Sequence, residues 1–119
     1  MIPVKIKLPD CLVGDHWEGI SIGPVLINGL QPTSILASCR MYFRDQTGGL
    51  AYGFKSVVTT GFGLITITNA TTWMAQIPRQ ILPLVAGVYS WDFETTDALG
   101  VVQTFYGGRQ TMIQDVTHD

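Results

Sequence analysis

The sequence predicts an all-β protein, an antiparallel two-sheet β-sandwich of eight to nine short strands, and three observations carry that expectation. Tyr89, Trp91, Phe93 and Thr95 recur at period two, so they share one face of an extended strand while Ser90, Asp92 and Glu94 take the other. Glycine and proline punctuate the chain at the spacing typical of sandwiches and barrels. No segment carries an amphipathic helical pattern of useful length, and the region near 79–82 offers at most one helical turn between Pro78 and Pro83. Two sheets stacked about 10 Å apart bury many one-sided strands at once. The 119 residues fit one domain, spanning 1–119.

Each element has its own justification. Val4 to Leu8 alternates and stops at Pro9-Asp10; His16 to Ile22 reads as a second strand ended by Gly23-Pro24. Asn28-Gly29 is a turn signal, and Gln31-Pro32 extends that loop. Ser34 to Arg44 is the longest clear strand. Its parity places Ile35, Ala37, Cys39, Met41 and Phe43 inward and Leu36, Ser38, Arg40, Tyr42 and Arg44 outward. Asp45 to Gly49 makes a hairpin-type loop, and Leu50 to Val58 returns. Leu64 to Thr68, Thr72 to Ile77, Gly87 to Thr96, Val101 to Tyr106 and Arg109 to Val116 complete the strands. Gly107-Gly108 marks either a bulge with close backbone approach or an ordinary loop. The expected core holds Tyr89, Trp91, Phe93, Cys39, Met41 and Phe43 in an Ig-like arrangement, with a small closed barrel as the alternative.

Charged residues make up only 13% of the chain, so its surface is weakly solvated and more easily explained if copies or partners cover part of it. The net charge is −2 and the basic residues are scattered, which argues against a nucleic-acid partner. No apolar run approaches the roughly 20 residues that span a bilayer, so no membrane partner is expected. The N-terminus lacks the layout of a secretory signal, which implies folding in the cytoplasm. Cys11 and Cys39 are expected to stay reduced, and no His–Cys cluster suggests a metal.

Catalysis needs converging polar groups, and few candidates exist. Asp15 and His16 are adjacent and point to opposite faces of a strand. Asp92 and Glu94 share a face and could form a carboxylate pair, but a solvated strand face accounts for them more simply. Arg40 lies mid-strand among apolar neighbours and needs a carboxylate, with Asp15 and Asp92 the candidates for a buried polar pair. Trp17 and Trp73 are candidates for an interface or a ligand-stacking surface, although tryptophans in a sandwich of this size more often belong to the core or to a subunit interface. No catalytic residue, metal or cofactor is implied, and the chain is read as a non-enzyme.

In order, Gly14-Asp15-His16-Trp17, Asn28-Gly29-Leu30 before the Arg40 strand, Gly87-x-Tyr89-x-Trp91-Asp92, Gly107-Gly108 and a closing Val116-Thr117 form a pattern. It resembles small β-sandwich structural proteins of tailed bacteriophages and prophages, among them the N-terminal virion-attaching domain of lactococcal phage upper baseplate proteins. That resemblance implies a virion structural protein of the tail, baseplate or neck, assembled in the host cytoplasm. It would act as a symmetric homo-oligomer bound to other phage virion proteins. The alternative function is a carbohydrate-binding module for host-surface recognition, which requires at least one tryptophan lying open on the surface.

Overall fold

A computed structural model describes residues 4–114. These residues form twelve strands and no helix. In order they are β1 (Val4–Lys7), β2 (Cys11–Leu12), β3 (His16–Trp17), β4 (Ile20–Ile22), β5 (Leu36–Arg44), β6 (Leu50–Lys55), β7 (Gly63–Leu64), β8 (Thr66–Asn69), β9 (Met74–Ile77), β10 (Gln80–Ile81), β11 (Gly87–Asp97) and β12 (Val102–Ile113). The main sheet runs β1-β12-β11-β5-β6-β7, with β2 also on β12; β4-β9-β8 and β10-β3 form two smaller sheets.

The all-β expectation holds, while the uniform antiparallel pairing and the count of eight to nine strands do not. β1 and β2 both lie parallel to β12, and β7 lies parallel to β6. A parallel pair needs a long crossover; for β1 and β12 nearly the whole chain is the crossover. Pro9 interrupts the N-terminal segment between its two contacts with β12. The segment from His16 to Ile22 splits at Glu18-Gly19 and sends its halves to different sheets. Gly19 has φ +80°, and a side chain there would run into the Ile77 carbonyl. Near 79–82 the chain forms strand β10 instead of a helical turn: Gln80 and Ile81 pair with Trp17 and His16.

The core draws on the main sheet and on the small sheets together. One cluster joins Met41, Phe43, Phe54, Tyr89, Trp91 and Phe93 of the main sheet to Trp17, Ile22, Ala75 and Ile77 of the small sheets. All six expected core residues, Tyr89, Trp91, Phe93, Cys39, Met41 and Phe43, are buried in it. A second cluster gathers Val25, Leu36, Trp73 and Phe105 near the β11–β12 turn.

Two irregularities reset side-chain parity. Asp97 pairs with Leu36 and Thr96 with Ser38, so Ala37 is an extra residue. Ile35 and Ala37, expected inward, are therefore exposed, and Leu36 is buried. On β12, Glu94 pairs with Thr104 but Phe93 with Tyr106, which bulges Phe105 into the second cluster. Gly107-Gly108 lies inside one continuous strand. It is a point of close approach, because a Cβ on Gly108 would collide with the Ile6 carbonyl of β1. The expected final strand to Val116-Thr117 ends at Ile113; Val116 and Thr117 lie outside the described residues.

Candidate functional site

The outward face of β5, β6 and β11 carries a compact set of charged and aromatic groups. The pleat places Arg40, Tyr42 and Arg44 on one face of β5, and antiparallel register sets Glu94 opposite Arg40 and Asp92 opposite Tyr42. The Arg40 guanidinium donates from Nε to Glu94 Oε1 (3.0 Å) and from Nη2 to Glu94 Oε2 (2.9 Å), a two-pronged contact. It also lies 4.1 Å from the Tyr42 ring centroid, and Lys55 Nζ lies 4.4 Å from that of Phe62.

Arg40 thus finds a carboxylate, as expected, but its main partner is Glu94. Asp92 Oδ1 stands 3.9 Å from Arg40 Nη1, an ion pair beyond hydrogen-bond reach. Asp15 takes no part. It lies in the turn after β2, where its N–H donates to the Leu12 carbonyl, and its side chain is exposed. Because Arg40 holds both Glu94 oxygens, Asp92 and Glu94 do not form a free acid–base couple. A groove of about 340 Å³ runs beside this pair, lined by Ser38, Lys55, Ser56, Thr59 and Thr96 among others.

The other histidine-and-acid neighbourhood is a surface concavity of about 310 Å³ beside Cys11, Asp15, His16 and Glu18. Asp15, His16 and Glu18 are all exposed, and Glu18 is engaged by Arg79 Nε at 3.1 Å. Among the described residues no group of three or more His, Cys, Asp or Glu side chains is placed to hold a metal ion.

The tryptophans are interior groups. Trp17, Trp73 and Trp91 are 4%, 2% and 3% exposed, which removes the stacking surface that carbohydrate recognition requires. Trp17 stacks on Phe54, and its Nε1–H donates to Gln110 Oε1 (3.1 Å). Trp73 has φ +58°, meets Phe105 edge-on, and donates from Nε1 to the Ser34 carbonyl (2.8 Å). Trp91 Nε1 is buried without a partner. The carbohydrate-binding alternative is therefore corrected, and Trp17 and Trp73 are not surface ligand residues.

Both cysteines are free and buried. They sit on strands three positions apart in the main sheet, and their registers on β11 differ by eight residues. Strand geometry then separates them by roughly 30 Å, far beyond disulfide reach. Burial pushes the Cys39 thiol up to about 11, although a hydrogen bond with Ser56 pulls the other way.

Surface composition is uneven in a way the linear reading missed. Residues 19–39, 56–78 and 98–108 contain no charged side chain. Parts of all three meet at the end of the molecule that carries the β11–β12 turn. Ala98 N–H donates to the Ile35 carbonyl, Leu36 N–H to the Ala70 carbonyl, and Thr96 lines the same groove as Val57. Leu26, Leu30, Ile35, Val57, Val58, Leu99, Val101 and Val102 are all exposed there; Val58 and Leu99 reach 86% and 80%. Asp97 is the one charged residue between these strands, and it is turned to internal use. It accepts from Ser34 Oγ (2.8 Å) and from the N–H groups of Leu99 and Val101. The Ser34 hydrogen bond, followed by those backbone donors, holds its carboxyl below the usual range. The signal for this surface was the spacing of the charge-free stretches, but only the topology brings them together.

No family model matches the chain, and no curated protein matches it. Among solved structures it is similar to the crystal structure of CopC from Methylosinus trichosporium OB3b, with a TM-score of 0.48 and 12% identity over 92% of this chain and 89% of that one. None of these comparisons returns a phage protein, and the expectation of a bacteriophage virion component is corrected accordingly. The likeness is too low to bring CopC's own properties to this chain.

Proposed function

We propose that this protein is a non-enzymatic association module that pairs with a second copy of itself through the charge-free end described above. The architecture behind that reading is a two-layer β-sandwich, with the main sheet as one layer and the two small sheets as the other. The carrying observation is the convergence of parts of three uncharged stretches at one end, where exposed apolar residues surround an internally satisfied Asp97 and border the groove beside the Arg40–Glu94 pair. Monomers rarely expose contiguous apolar area of this kind. A second copy fits because two neutral apolar faces related by a two-fold axis need no complementary charge. The molecule measures 53 × 27 × 22 Å, so an end-on contact is small. It belongs with weak interfaces, and dimerisation in the micromolar range is expected.

Sedimentation equilibrium across the micromolar range tests this. The native chain should shift from monomer to dimer, and raising salt should leave the equilibrium in place because no charges meet. Leu99→Lys or Val102→Lys should keep the protein monomeric, while Thr47→Lys, in the Asp45–Gly49 loop outside that end, should not. A native chain that stays monomeric throughout, or pole variants that associate as well as the native chain, would overturn the reading.

A further inference from the structure

The two layers are left open along one side, between β1 of the main sheet and β4 of a small sheet. A cleft of about 370 Å³ lies there, walled by Ile6, Leu8, Ile20, Ile22, Trp91 and Tyr106, with Ser21 and Gly23 completing it. Its size falls at the small end of ligand pockets. The lining is mainly apolar, with the hydroxyl-bearing Ser21 and Tyr106, and holds no charged residue.

A second observation is independent of the cavity. Trp91 is 3% exposed, and its Nε1 is buried with no acceptor. The other two indoles each donate to a defined acceptor, Gln110 Oε1 or the Ser34 carbonyl. A buried donor left without a partner is costly and uncommon in folded proteins. Here the residue that bears it is part of the cleft wall. The Tyr106 ring, half-buried on the same wall, packs against Phe93 with ring centroids 6.1 Å apart.

We infer that this cleft binds a small neutral molecule with an apolar body and one carbonyl-type acceptor, and that the acceptor takes the Trp91 indole N–H. The apolar walls supply the body's environment. The absence of a lining cation excludes a carboxylate, which would be desolvated without a countercharge. A purely hydrocarbon ligand would leave the donor unsatisfied. A carbonyl compound should therefore bind about ten-fold more tightly than its hydrocarbon analogue.

The test follows the indole N–H resonances of the ¹⁵N-labelled chain during titration with acetophenone, ethylbenzene and benzoate. Acetophenone should shift the Trp91 indole signal saturably and leave those of Trp17 and Trp73 in place. Ethylbenzene should bind about ten-fold more weakly, and benzoate should not compete. Trp91→Phe keeps an aromatic ring without the donor; it assigns the signal and should abolish the preference for acetophenone over ethylbenzene. Should that variant fail to fold, Ile20→Phe on the exposed edge strand narrows the same cleft and should weaken acetophenone binding. The inference is overturned if acetophenone gives no saturable shift up to its solubility. Equal affinity for acetophenone and ethylbenzene, tight benzoate binding, or unchanged binding by Ile20→Phe would also overturn it.

Discussion

Gln110 is fully buried, yet its amide is saturated: Oε1 accepts from the Trp17 indole, and Nε2 donates to the carbonyls of Pro9 (2.9 Å) and Thr111 (3.1 Å). It ties β12 to the small sheet through Trp17 and to the break between β1 and β2. Gln110→Leu has nearly the same volume but orphans the indole donor and the Pro9 carbonyl, so it should cost about 3 kcal/mol in denaturant unfolding. Nothing in the linear sequence marked this glutamine, because its neighbours Arg109 and Thr111 are polar too and its role depends on a tryptophan 93 residues away. Cys39 gives a second residue-scale expectation. Its thiol is held neutral well above the unfolded value, so the stabilising contribution is complete below about pH 9 and is lost as pH rises through about 11. The alkaline fall in melting temperature should be smaller in Cys39→Val than in the native chain. Equal falls would show that another group governs the transition.

At the scale of elements, the β11 stripe and the inner face of β5 from Cys39 onward were legible because period-two alternation is local and unbroken there. The same rule misplaced Ile35, Leu36 and Ala37, since parity depends on a bulge whose cause lies in the partner strand. Strand β10 was unreadable for a related reason: two residues between prolines become a strand only because the edge of β3 is there to pair with them. Glu94 was visible as a carboxylate but not as Arg40's partner, since cross-strand register, not sequence distance, sets that contact. The close approach at Gly107-Gly108 was legible as one of two readings, and it leads to a sharp expectation. Gly108→Ala places a methyl group against the Ile6 carbonyl, so β1 should detach from β12. Amide exchange should then lose protection at Val4–Lys7 while β11 and β5 stay protected, at a cost of about 1–3 kcal/mol.

Across the whole molecule, the charges gather away from one end, and low overall charge hinted at this without locating it. Thirteen percent charged residues could have been spread evenly; three uncharged stretches folded to one place were not foreseeable without the strand order. The neutral end and the open side between β1 and β4 are separate surfaces, so self-association and small-molecule capture can be measured independently. The parallel pairing of β1 with β12 has a different bearing, on how the chain reaches this state. Residues 4–7 meet residues 106–109, nearly the full length of the polypeptide apart. On the ribosome β1 emerges long before its hydrogen-bonding mate exists, so it must wait unpaired until residues 106–109 have been made. Loop closure of that span places this protein among slow, high-contact-order folders, whose half-assembled edges are open to wrong pairing in the interval.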